Sequence, residues 1–235
     1  MQLFYNPDLK KHSTEFTLDA AESRHLLRVL RKKKGDEFKI TNGRGRLFTA
    51  QITNDNVENT TATIISHDKR HKKMYSLHMA VAPTKSMDRY EWFLEKATEI
   101  GVTEITPIFC DRSNRKTLKM ARLQKVIQTA MKQSQRTYLP ILHEPVTFKE
   151  FVEKEHKGIL FIAHCEDEEK LELKRRVAPD KRITILIGPE GDFTHSEIKK
   201  AYEKGFLSVS LGESRLRTET AAIYACTTIA VLNSR

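Results

Sequence analysis

Two short stretches carry residue types and spacings that can do chemistry. The first, I-T-I-L-I-G-P-E-G-D-F, runs an apolar strand into Gly188, Pro189, Glu190 and Gly191, and the second, F-L-S-V-S-L-G-E-S-R-L-R-T-E-T-A-A, turns at Gly212. Neither is a phosphate loop, because the spacings G-x-x-x-x-G-K-[ST] and G-x-G-x-x-G are both absent. Gly-Pro-Glu-Gly instead allows close backbone approach, with Pro189 fixing φ and the glycines carrying no Cβ. A backbone-lined slot of that kind can hydrogen-bond the edge of a flat heterocycle such as adenine. Either turn alone is equally well a tight turn after a strand; both in this order argue for a ligand.

These turns need elements to hold them. Thr194 to Gly205 has a polar start, Glu197 three residues on, apolar Ile198, Ala201 and Tyr202, and a closing glycine, which predicts a capped helix. The order strand, turn, helix, strand, turn, helix puts both turns at the carboxyl edge of a parallel sheet, where open α/β folds bind ligands. Upstream, strands at Met74–Pro83, Ile105–Cys110 and Gly158–Cys165 alternate with helices at Ser86–Ile100, Thr117–Gln135 and about Thr147–Glu155. Residues 1–72 read instead as a small β-rich domain. Asp19 caps a helix over Ala20–Leu30, and three or four short strands at Glu37–Thr41, Leu47–Thr53 and Val57–Ser66 form a barrel-like module. Asp68–Lys73 reads as the linker to a second domain over residues 73–235.

The chain carries a formal net charge of +10, with 31% charged and 39% hydrophobic residues, which describes a soluble globular protein with a polyanion, most simply nucleic acid, as partner. Arg24, His25, Arg28 and Arg31 cluster on the first helix, and Arg44 and Arg46 on a hairpin tip. From Arg112 to Arg136 there are eight Lys or Arg, among them Arg115, Lys116 and Arg122, and no Asp or Glu. Same-sign neighbours one turn apart destabilise a helix by a few tenths of a kcal/mol, so the block predicts an anion-facing surface. Cys110, Cys165 and Cys226 are far apart and read as buried structural thiols, and the nine histidines show no ligand spacing, so no metal is expected. No segment reads as a signal peptide or membrane span, which makes the expected location cytoplasmic. The last helix, Glu219–Asn233, is apolar nearly all round, and burial against its own sheet and a homodimer contact explain that equally well.

I-G-P-E-G followed by F-[ST]-x-x-E, then L-G-x-x-x-L-R-T-E-T-A, resembles the bacterial 16S rRNA (uracil-N3) methyltransferase family of the SPOUT superfamily. H-L-L-R-V-L-R, K-S-M-D-R-Y-E-W-F-L-E-K-A-T-E-I-G-V from Lys85, and Q-S-x-R with Pro140 extend the resemblance over essentially the whole chain. It implies an α/β fold with a PUA-like RNA-binding domain followed by a SPOUT domain, a parallel sheet flanked by helices and threaded into a trefoil knot. It also implies a homodimer, S-adenosyl-L-methionine as methyl donor, and one uridine of 16S rRNA in the small ribosomal subunit as substrate. By resemblance and placement, Gly188, Pro189, Glu190, Gly191, Leu211, Gly212 and Leu216 line the cofactor slot. Arg217 and Arg136 hold the target phosphate or the developing negative charge. Glu219 handles a proton or, equally, is a helix amino-terminal carboxylate favoured by the dipole. Three positions depart from the family pattern: Gly191-Asp192 replaces Gly-Gly, Arg215-Leu216-Arg217 replaces Ile-Leu-Arg, and Lys132-Gln133 lacks the acidic residue often found before Gln.

Overall fold

The computed structural model describes residues 2–234, which separate into two compact units. The first runs to Lys72 and also takes in Gln128–Leu139, a segment that lies inside the second of the two domains read from the sequence. Its strands β1 (Leu3–Tyr5), β2 (Glu15–Thr17), β3 (Glu37–Thr41), β4 (Arg46–Asn54) and β5 (Thr61–Lys69) form one sheet in the order β1-β3-β4-β5-β2. Only the β1–β3 pair is parallel. Register shifts at Thr49/Ala50 and Ile52/Asn54 curl the sheet around Phe4, Phe16, Leu26, Phe38, Ile40, Phe48 and Ile52, all buried.

This unit differs from expectation in three ways. It has five strands, because β1 and β2 are three residues long and too short to show a period. β5 begins at Thr61 rather than Val57 and continues to Lys69, so Asp68 and Lys69, assigned to the linker, pair with Leu47 and Arg46. The helix α1 (Ala20–Arg24), capped by the Asp19 carboxylate on Glu22 N–H, widens into a π-helical turn over His25–Val29 instead of continuing regularly to Leu30. The added segment is stitched to the β3–β4 tip and to the end of β5: Gly45 N–H donates to Thr137 O at 2.8 Å, Leu139 N–H to Gly43 O at 2.9 Å, and the Tyr138 hydroxyl to Arg70 O, just after β5, at 3.0 Å.

The second unit holds a seven-stranded sheet whose strand pairs are all parallel: β6 (Ser76–Val81), β7 (Glu104–Phe109), β8 (Ile141–Leu142), β9 (Val146–Thr147), β10 (Ile159–Ala163), β11 (Arg182–Ile187) and β12 (Leu207–Val209). The order is β12-β10-β11-β6-β7-β8, with β9 also on β7. β11 and β10 are apolar on both sides, as strands covered on two faces must be. On one face α4 (Phe148–Glu153) and α6 (His195–Glu203) bury Phe148, Phe151, Phe193, Ile198 and Phe206. Both helices start from capping boxes, Thr147 with Glu150 and Thr194 with Glu197, which satisfy backbone donors at their first turns.

On the other face α2 (Met87–Ile100) buries Tyr90, Phe93, Leu94 and Ala97, the spacing of one helix stripe. It packs against α7 (Thr218–Leu232), which also lies over β6 and β11. α7 buries Ala222, Ala225, Cys226 and Ile229 but leaves Tyr224 and Val231 exposed. The helix α3 (Met120–Gln133) buries Leu123, Ile127, Ala130 and Met131, and a single helical turn, α5 (Leu173–Arg176), precedes β11. Among the described residues no helix is long and apolar enough to cross a membrane.

β10 begins where the chain cannot tolerate a side chain. Gly158 sits at φ +99°, and a Cβ there would stand 2.2 Å from the Arg182 carbonyl oxygen of β11, which is backbone and cannot give way. Gly158→Ala is therefore expected to lower the unfolding free energy by at least about 2 kcal/mol, combining a left-handed alanine with a backbone clash, as read from urea denaturation.

Candidate functional site

The chain enters the sheet at β6, places β7 on one side and returns to place β11 on the other. The crevice outside the carboxyl ends of β6 and β11 is thus where such a topology leaves room for a ligand. The Gly188–Asp192 turn occupies that position and is bound from four neighbouring loops. Beyond β6, the Lys85 N–H donates to Glu190 Oε1 at 2.8 Å. Beyond β7, Arg112 Nη1 donates to Gly191 O at 2.9 Å. Beyond β10, the Cys165 N–H donates to Asp192 Oδ2 at 2.7 Å. Beyond β12, the Thr218 hydroxyl donates to Gly188 O at 3.0 Å, tying the second glycine turn and the start of α7 to the first.

Asp192, one of the departures from the family pattern, completes this turn. Its φ is +63°, the left-handed region where asparagine, aspartate and glycine are the usual occupants. The Asp192 N–H donates to Pro189 O at 2.9 Å, and Asp192 Oδ1 accepts the Phe193 N–H at 2.9 Å. The family's common glycine at this place is thus replaced by one of the few other residues that tolerate the conformation, and its carboxylate additionally clamps the β10 exit. The departure itself was the available signal.

In the second turn Gly212 has φ +113° and nothing within 4 Å of where a Cβ would be, so its bare backbone faces open space. The Ser210 hydroxyl donates to Gly212 O and accepts the Gly212 N–H, both at 3.1 Å. Leu211 and Leu216 are half-buried beside it, and Arg217, exposed, is the cap residue of α7. Glu219 is buried in the first turn of α7, 7% exposed, with Oε1 3.8 Å from Arg89 Nε and Oε2 unpartnered. A buried carboxylate oxygen with no donor is costly and marks a place where a cation or a hydrogen-bond donor would be favoured. Open backbone at Gly212 and an orphaned carboxylate nearby in sequence fit a cationic, heterocycle-bearing ligand such as S-adenosylmethionine.

The basic residues are less free than their sequence suggests. Arg24 pairs with Glu58 at 3.0 Å, Arg44 donates to Pro7 O, and Arg46 meets His67 Nδ1. His25 is half-buried, with its ring 6.0 Å from that of Phe4 and its Nε2 buried without a hydrogen-bond partner. Arg122 pairs with Glu91, Arg112 also reaches Phe193 O, and Arg115 donates to Lys85 O at 3.0 Å. The acidic partners missing from residues 112–136 come from other helices, including Glu22 for Lys132 at 2.6 Å. Arg28, Arg31, Lys116, Lys119 and Lys125 remain exposed. Arg136 falls in the segment that packs with the first unit, while Arg217 and Glu219 belong to the second.

One further observation corrects the sequence reading, and a second adds to it. Cys165 is exposed in the loop after β10, not buried in a strand, whereas Cys110 and Cys226 are buried. The histidines, which have no ligand spacing in sequence, are partly gathered by the sheet: His78 of β6, Glu104 of β7 and His143 after β8 converge. Burial holds the His78 imidazole down to about 4, with Glu104 opposing and His143 and His156 reinforcing that shift.

If Asp192 fixes the turn, replacements should rank by conformation and acceptor together. Asp192→Ala, which loses both acceptors and keeps a left-handed φ, is expected to cost about 2–3 kcal/mol in urea denaturation. Asp192→Gly, which loses the same two acceptors but relaxes φ, is expected to cost about 1 kcal/mol less.

Residues 71–230 match the family model described as RNA methyltransferase domain, and residues 18–58 that of the RNA methyltransferase PUA domain. A Synechocystis protein named ribosomal RNA small subunit methyltransferase E is 32% identical over 92% of this chain and 73% of its own length. The crystal structure of a probable rRNA-methyltransferase from Porphyromonas gingivalis superposes with a TM-score of 0.92 at 36% identity, over 99% of this chain and 98% of that one. That of a ribosomal RNA small subunit methyltransferase E from Neisseria gonorrhoeae, bound to S-adenosyl methionine, gives 0.86 at 28% identity, over 99% and 98%. The turn-centred parallel sheet, the curled amino-terminal sheet and these full-length similarities place the chain in the RNA methyltransferase family whose members are named ribosomal RNA small subunit methyltransferase E.

Proposed function

We propose that this protein uses S-adenosyl-L-methionine to methylate N3 of one uridine in the 16S rRNA of the small ribosomal subunit, in the cytoplasm. The observation that carries the reading is the Gly188–Asp192 turn, held rigid from four loops at the carboxyl edge of the sheet in a chain of this family. Gly188, Pro189, Glu190, Gly191, Leu211, Gly212 and Leu216 are the residues to hold the cofactor, which when bound supplies an electrophilic sulfonium methyl. Rigid backbone donors and acceptors suit this task, since they need no reorganisation when the ligand arrives.

The uracil imide nitrogen is nucleophilic only without its proton, so the chain must take that proton or stabilise charge on the flanking oxygens. Glu219, buried and with one oxygen unpartnered, is the proton acceptor in this reading, and Arg89 steadies its other oxygen. Arg217, exposed at the start of α7, holds the developing negative charge, and Arg136 takes the target phosphate. Arg28, Arg31 and Lys116 supply RNA contacts, while Arg112, Arg115, Arg122 and Arg24, whose guanidiniums already bind protein groups, brace the site and the fold. Trp92 on α2 and Tyr224 and Val231 on α7, 44%, 40% and 62% exposed, support a homodimer built on this pair of helices.

Mass spectrometry of small-subunit rRNA from cells with and without the gene is expected to show one 3-methyluridine lost on deletion; an unchanged nucleoside profile would overturn the reading. Arg217→Ala is expected to slow single-turnover methyl transfer about 10²-fold, roughly 3 kcal/mol, with cofactor affinity by calorimetry unchanged. Glu219→Gln is expected to slow single-turnover methyl transfer at least about 10²-fold with cofactor affinity unchanged; a rate within about twofold of the unsubstituted protein would make Glu219 structural.

A further inference from the structure

Three remote segments bring His78, Glu104 and His143 within reach of a single ion. His143 Nε2 lies 2.9 Å from Glu104 Oε2, and one potential ligand atom from each of the three residues falls within 4.8 Å of the others. The His78 and His143 rings are 5.2 Å apart, and Phe151 closes one side of His78 with its ring centroid at 5.4 Å. Thr106 Oγ1, 2.7 Å from His78 Nε2, fixes the orientation of the imidazole. His78 and Glu104 lie toward the amino ends of their strands, whereas the glycine turns follow the carboxyl ends.

We propose that His78, Glu104 and His143 form a divalent transition-metal site, with Zn2+ as the ion the donors suit best, joining β6, β7 and the segment after β8. Two imidazoles and one carboxylate are a borderline-soft N/O set of the kind that binds Zn2+ and its neighbours in preference to Mg2+ or Ca2+. Bonds of about 2.0–2.2 Å put tetrahedral ligand atoms roughly 3.3 Å apart, so side-chain shifts of about an ångström close the present arrangement around an ion. The Thr106 hydroxyl plays the orienting part that a ligand histidine needs from its surroundings. The side chains of His143 and Glu104 are 39% and 33% exposed, which leaves an entry path and room for water as the fourth ligand. Without an ion, the Glu104–His143 contact is a solvent-accessible pair of small worth, so its substitution alone should hardly disturb the fold.

The test is calorimetric titration of the full-length, chelator-stripped protein with ZnCl2 alone, with thermal unfolding in parallel. One ion per chain, a dissociation constant in the micromolar range or tighter, and a raised Tm are expected. Glu104→Gln and His143→Ala are each expected to weaken binding at least tenfold, while His71→Ala, an exposed histidine elsewhere, leaves it unchanged. Absence of saturable binding, or binding that survives both substitutions, overturns the proposal. Zn2+ protection of His143 from diethylpyrocarbonate, mapped by peptide mass spectrometry on the unsubstituted protein, gives the same decision without variants: protection is expected, and full modification in Zn2+ refutes the site. S-adenosylmethionine affinity is expected to stay constant throughout, which keeps this result separate from the methyltransferase reading.

Discussion

A stretch of backbone with two glycines and a proline cannot hold its own shape at a solvent-facing sheet edge, because it has few side chains to anchor it. The Gly188–Asp192 turn is held instead by donors from four other loops, those beyond β6, β7, β10 and β12. Each such bond contributes on the order of 1 kcal/mol, and together they over-determine one conformation. The left-handed Asp192 persists under this constraint, since an isolated residue at φ +63° would relax. The second turn and the start of α7 inherit their position through Thr218.

The same constraint explains why Glu219 is buried. The first turn of α7 is pinned at Thr218, which carries the next residue inward whether or not its charge is satisfied. The helix dipole offsets part of the cost of a buried carboxylate, and Arg89 at 3.8 Å offsets more, yet Oε2 has no donor. The fold thus holds a buried carboxylate oxygen with unused acceptor capacity at the start of α7.

Electrostatics in this chain work on two levels. The net charge of +10 is a property of the whole surface and favours a polyanionic partner. The individual guanidiniums, however, are largely committed. Planar, permanently charged groups with five donors are well suited to capping loop carbonyls, as Arg112 and Arg115 do, and to pairing across helices, as Arg122 does. Arg28, Arg31, Lys116, Lys119 and Lys125 are among the cations that stay exposed to solvent.

Local pattern was enough for much of this molecule. Alternating apolar strands and capped helices from Met74 onward determined a parallel α/β sheet, because strand and helix periods and capping boxes are local signals, and Thr194 with Glu197 forms the box its spacing announces. The two glycine turns and their place at a sheet edge were legible for the same reason. What local pattern lacks is the partner of each side chain. Glu58 for Arg24, Glu91 for Arg122 and Glu22 for Lys132 lie 34, 31 and 110 residues away, so a block without acidic residues looked unpaired. The three-residue strands β1 and β2 are too short to show a period, and the 128–139 segment joins the first unit through backbone and side-chain bonds to partners remote in sequence, which no local pattern names. The meeting of His78, Glu104 and His143 depends on strand register, with His78 directly opposite Glu104 across β6 and β7. Register between remote strands is fixed only when the sheet assembles, and it is there that the tertiary structure decided what the sequence had left open.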